Sequence, residues 1–132
     1  GFWIIDTGAS DHMTHNLKSF TKIQPLQTTI HITLPDGSFK RVTYTGQVQL
    51  VSNITLHNVL YVPDFKFSLI SVNKLLTDIH LLTLFAPKKC TFQDPSTKLI
   101  MVVAPVDNGL YQFKSIDHFG NIGTTKGLPK IG

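Results

Sequence analysis

The chain has 132 residues, of which 42% are hydrophobic and 15% charged; that allows one folded domain with a real core and argues against a disordered chain. No run approaches the roughly 20 apolar residues that span a bilayer, so neither a membrane partner nor a secretory leader is expected. The net charge of +4 lies on scattered lysines and one arginine rather than on one stripe, so no specific nucleic-acid partner is expected.

Phe2-Trp3-Ile4-Ile5 is a wholly apolar run of β-formers and predicts a buried strand, ended by the turn-forming Asp6-Thr7-Gly8-Ala9-Ser10. From Asp11 to Gln27 the pattern is irregular, with Leu17, Phe20, Ile23 and Leu26 expected to pin a loop onto the body. Ile30, Ile32 and Leu34 then share one face of a strand, and Pro35-Asp36-Gly37-Ser38 carries a strong hairpin signal. The return strand is expected over residues 39–45, broken by Gly46 and resumed at Val48 and Leu50. Residues 54–62 predict two more short strands, stopped by Pro63.

Val72, Leu75, Leu76 and Ile79 fall at i, i+3, i+4 and i+7, which predicts one helix with Ser71 as N-cap and the four apolar residues in the core. Beyond it, residues 81–85, 89–93, 99–103 and 110–113 predict strands separated by Pro87, Pro95 and Asn108-Gly109. The stretch 114–132, glycine-rich and aperiodic from residue 120, predicts a flexible linker, which places the folded domain at residues 1–113. Many short strands and one short helix make a mainly β, barrel-like domain. A lone cysteine, Cys90, has no internal disulfide partner, so a reducing compartment is the default.

There is no glutamate, and all eight acidic residues are aspartates, so carboxylate chemistry must be chosen from a short list. Asp6 stands out because it follows a buried strand directly and sits inside a Thr-Gly turn. The strand fixes its backbone, and Gly8 lets backbone N–H groups approach the carboxylate. By itself such a tripeptide is also an ordinary turn. The pair His12 and His15 has a spacing seen in zinc sites, but His31, His57 and Cys90 add no third ligand at a supporting spacing, so no metal is expected.

Trp3-Ile4-Ile5-Asp6-Thr7-Gly8-Ala9-Ser10 resembles the active-site signature of aspartic proteases of the single-lobe retroviral type. Leu69-Ile70-Ser71-Val72-Asn73-Lys74-Leu75-Leu76-Thr77 is similar to that family's Ile-Ile-Gly-Arg-Asn-Leu-Leu-Thr segment, and the Asp36-Gly37 hairpin falls where the family has its flap. The longer pattern resembles the protease segment of Ty1/copia retrotransposon polyproteins. It includes Trp3, Asp6, Gly8, Ala9, Ser10, His12, Met13 and Thr14, then Leu34, Asp36, Gly37 and Ser38. It continues through Val59-Leu60-Tyr61-Val62-Pro63 and Leu69-Ile70-Ser71-Val72 to Gly109-Leu110-Tyr111.

The resemblance implies a retropepsin-like closed β-barrel whose helix is followed here by extra strands. It implies an aspartic endopeptidase that processes a gag-pol polyprotein inside a cytoplasmic virus-like particle, with residues 114–132 leading to the next segment. Asp6, Thr7 and Gly8 would be the catalytic residues. Ala9, Ser10 and Asp11, with Asp36, Gly37 and Ser38 of the flap, would bind the peptide, and neither cofactor nor metal would be needed. No second aspartate is followed by Thr-Gly or Ser-Gly, so the partner carboxylate would be the Asp6 of a second chain in a homodimer. Two carboxylates about 3 Å apart cannot both ionise cheaply and hold one proton between them.

Ser71 stands where the family has glycine, and the family's following arginine, a dimer buttress, has no counterpart. Few residues precede Asp6, and the strands within residues 81–113 are expected to take the places of the family's amino-terminal strands, being too apolar to dangle. The competing expectation is a catalytically silent or domesticated interaction domain of the same fold. A nucleic-acid-binding barrel would need aromatic residues interleaved with basic ones on one sheet face, where this chain puts Val and Ile beside Gln and Thr.

Overall fold

The computed structural model describes residues 2–34 and 36–114. Its elements are β1 (Phe2–Asp6), β2 (Met13–Thr14), a 3-10 turn (Leu17–Ser19), β3 (Lys22–Thr33), β4 (Phe39–Val51), β5 (Ile54–Tyr61), β6 (Leu69–Ser71), α1 (Val72–Asp78), β7 (Leu82–Phe85), β8 (Lys89–Gln93), β9 (Ile100–Asp107) and β10 (Leu110–Lys114). All ten strands join one sheet in the order β3-β4-β5-β2-β6-β1-β10-β9-β8-β7. The fold is mainly β with one short helix, but hydrogen bonding does not close the expected barrel. β3 and β7 are its edges, and β3 carries Pro25, which has no amide to offer a further strand.

Strand β1 lies inside the sheet, parallel to β6 on one side and antiparallel to β10 on the other. Alternation along it sends Trp3 and Ile5 into the main core and leaves Phe2, Ile4 and Asp6 on the opposite face. That core also takes Leu50, Ile54, Leu56, Ile70 and Leu75 from the first part of the chain and Cys90, Phe92, Val102, Ala104 and Phe113 from the last. A smaller cluster under the β3–β4 hairpin gathers Met13, Leu34, Val42, Leu60, Val62, Phe65 and Leu69. The strands expected after the helix do join the sheet, through β10 beside β1. Their last turn, Asn108-Gly109, has positive φ at both residues (52° and 77°), which suits a two-residue hairpin loop.

Several local expectations are corrected. The irregular stretch 11–27 holds β2, the 3-10 turn and the start of β3. Gly46 does not break its strand, because β4 runs through it. A Cβ there would lie 2.0 Å from the Lys22 carbonyl oxygen and 2.8 Å from Phe20 Cδ1, so glycine is what lets β3 approach β4. Residues 54–61 form one strand, not two. The helix begins at Val72 with Ser71 as N-cap, its Oγ accepting the Lys74 N–H at 3.1 Å, but Leu76 faces solvent at 41% exposure. Lys114 closes β10. The rest of the expected linker lies outside the described residues.

Candidate active site

Asp6 is the last residue of β1 and is in register with Ser71 on the parallel strand β6. Its Oδ1 accepts the Gly8 N–H at 2.7 Å and the Ala9 N–H at 3.1 Å, so the turn folds back on the carboxylate that opens it. Gly8 has ordinary room: a Cβ would stand 3.5 Å from Asp6 Oδ1 and touch nothing closer. The amides reach the carboxylate as the sequence suggests, but the approach does not depend on glycine.

Asp6 is half-buried and lines a cleft of about 430 Å³. Gly8, Ala9, Ser10 and Asp11 line it with Asp6, and residues 30–34 of the hairpin face them across it. Met13 and Leu69 add apolar surface. The structure therefore brings together Asp6, Gly8, Ala9, Ser10 and Asp11 of the expected site. It does not bring in Thr7, which is exposed, or the hairpin tip Asp36, Gly37 and Ser38. The tip is occupied with its own turn. Asp36 Oδ1 accepts the Ser38 hydroxyl at 2.6 Å and the Ser38 N–H at 2.9 Å, and Gly37 takes φ of 85°. The Ser38 hydroxyl, then its amide, holds the Asp36 carboxyl below the usual carboxylate range.

Around the loop after Asp6 runs a polar network that the sequence reading missed. The Ser71 hydroxyl donates to the Ala9 carbonyl at 2.7 Å, and the Ser71 N–H donates to His12 Nδ1 at 3.0 Å. The Lys74 ammonium lies 3.8 Å from Asp11 Oδ1, and the Ser10 hydroxyl donates to Asp11 Oδ2 at 3.1 Å. Thr14 and Ser68 share a buried hydroxyl contact of 2.6 Å. His12 is only 1% exposed. Burial, then the Lys74 charge, pushes its pKa down to about 4, against the pull of Asp78 and Asp11. His12 and Ser71 are 59 residues apart, so no local pattern could have paired them. The apolar wall was within reach, since Ile30, Ile32 and Leu34 already alternate in the sequence.

His12 and His15 do not form a metal pair. The first is interior and bonded to Ser71, while the second is exposed beside a separate groove with Phe2 and Phe67. Among the described residues no group of three His, Cys, Asp or Glu side chains could hold a metal ion. Among them, too, no helix is long and apolar enough to cross a membrane.

A family model described as the Pol polyprotein beta-barrel domain matches residues 3–79. Two relatives from Arabidopsis thaliana, the retrovirus-related Pol polyproteins from transposons RE1 and RE2, are each 28% identical over 114 residues, 84% of this chain. The chain spans only 8% of the length of either relative. The family match ends one residue past α1, so it contains every residue that lines the cleft and leaves out β7 to β10. It covers more than half of the 132 residues, and the chain belongs to the Pol polyprotein beta-barrel domain family.

Proposed function

We propose that the chain is one subunit of an aspartic endopeptidase that processes the polyprotein of a Ty1/copia-like retrotransposon. Asp6 meets the Asp6 of a second copy at a two-fold axis, in a homodimer. The observation that carries this reading is the setting of Asp6: the end of an interior strand, Oδ1 held by two backbone amides, opening on a cleft walled by a hairpin strand. Kinship with Pol polyproteins supports it.

In this reading the peptide lies extended in the cleft against residues 30–34, gripped as an added strand. The ionised member of the dyad takes a proton from a water that attacks the scissile carbonyl carbon. The protonated member donates to the carbonyl oxygen, and the tetrahedral intermediate collapses as the C–N bond breaks and the amine leaves with a proton. The Gly8 and Ala9 amides hold one oxygen of the carboxylate in place through these steps. Ala9, Ser10 and Asp11 line the rim on which the substrate backbone would rest. The family's buttressing arginine has no counterpart, and the Ser71 hydroxyl and Lys74 ammonium tie the loop to β6 and the helix within one chain.

Asp6→Asn keeps the shape of the side chain and removes the base. Cleavage of a peptide from a polyprotein junction, inhibited by pepstatin in the parent, should fall by roughly a hundredfold or more, with sedimentation unchanged. Undiminished cleavage rules out the chemistry. A parent protein that sediments as a folded species but cleaves nothing favours the silent interaction domain.

A further inference from the structure

We propose that His12 is a positioning residue for the loop that carries Asp6, its ring accepting the Ser71 N–H and so clamping that loop to the junction of β6 and α1. The kinetic consequences rest on the protease reading, whereas the clamp itself rests on geometry alone.

Two bonds from one residue hold both ends of segment 9–12. The Ser71 hydroxyl donates to the Ala9 carbonyl at one end, and the Ser71 N–H donates to His12 Nδ1 at the other. Ser71 is also the register partner of Asp6 and the N-cap of α1. The His12 carbonyl accepts the Leu60 N–H at 2.9 Å, so ring and backbone of one residue bind the loop to two different strands. A loop tied at these points cannot drift without breaking a buried hydrogen bond, and small misplacements of a reacting group are costly in rate.

Nδ1 can accept only while it carries no proton, so His12 must be the neutral tautomer with hydrogen on Nε2. Protonation would set N–H against N–H across 3.0 Å. The charged groups facing the ring are Lys74 and Asp78 from α1 and Asp11 from the loop; with burial they leave its pKa near 4. The clamp thus holds at neutral and mildly acid pH and releases near pH 4. The sign follows from linkage. The folded value lies below the ordinary 6.5, so the unfolded chain binds more protons between the two values. The stabilisation is whole above about pH 6.5 and is lost as pH falls toward 4.

The test uses the 132-residue protein, His12→Leu, which deletes the acceptor, and His12→Asn, whose Oδ1 sits where Nδ1 was but does not titrate. Expected are an unprotonated Nδ1 in ring ¹⁵N spectra at pH 7 and a Ser71 amide whose exchange accelerates near pH 4. In peptide cleavage, His12→Leu should lose roughly ten- to a hundredfold in kcat with KM little changed, and His12→Asn should regain most of it. The His12→Asn activity should also persist to lower pH than that of the parent.

A proton on Nδ1 at pH 7, a parental kcat in His12→Leu, or coincident acid limbs in the parent and His12→Asn overturns the proposal. If His12→Leu does not fold, the parent spectra and His12→Asn still decide. An unprotonated Nδ1 with a protected Ser71 amide in a protein that cleaves nothing leaves the clamp standing and removes the protease.

Discussion

From β1 to α1 the chain keeps returning on itself, with β1 parallel to β6, β2 parallel to β5, and side chains bonded to backbone 59 and 62 residues away. From β7 to β10 each strand pairs antiparallel with the next, and the one long-reaching side-chain bond described is from the Tyr111 hydroxyl to the Ala86 carbonyl. The first region spends polar contacts on the shape of one loop. The second supplies apolar surface and a partner for β1. Yet both fill the same core, Phe92 and Val102 packing in one cluster with Trp3 and Leu75. The family match stops between them, so the part that carries the cleft and the part that completes the core are different stretches of sequence.

That division can be broken by experiment. Ending the chain at Ile79 would strip Trp3, Ile5, Ile70 and Leu75 of their cover and leave β1 without β10. No cooperative thermal transition should remain by circular dichroism; a sharp one would mean that the cleft region folds alone. Phe92→Ala, in β8 and fully buried, should cost about 3–5 kcal/mol in denaturant melts although it lines no part of the cleft. Gly46→Ala, on the cleft side of the division, forces a Cβ onto the Lys22 carbonyl and should cost about 1–3 kcal/mol as β3 and β4 part. Leu76→Ser, on the exposed face of α1, should stay within about 0.5 kcal/mol of the parent.

What the sequence made legible lies on both sides of that division. Strand β1, the Asp36-Gly37 hairpin, the Ser71 cap and the four late strands were readable because each rests on alternation, a turn dipeptide or a cap within a few residues. Gly46 was misread because glycine has the same symbol whether it ends a strand or admits a neighbour, and the neighbour, Lys22, lies far back in the chain. Leu76 fits the helical stripe by spacing, but the helix has only seven residues and its core contact falls on Val72 and Leu75. In the site, the strand–turn placing of Asp6 was visible, whereas the roles of Ser71 and His12 depend on contacts made only once β6 lies beside β1.

Cys90, read first as a hint about compartment, reports on the core instead. It is buried, and burial pushes its thiol up to about 11, so the folded chain offers a thiol reagent almost no thiolate.

Phe2 is registered with Lys114, and Ile4 with both Gln112 and Leu69. The strand that carries the carboxylate is therefore made before β10, its antiparallel neighbour, with more than a hundred residues between their first positions. Until β10 has emerged, Asp6 sits on a strand with one edge unpaired, and pairings between such distant segments form slowly. The order of synthesis itself delays the cleft: a nascent or prematurely ended chain would hold every residue of the Asp6 loop and still lack the completed strand that aims it.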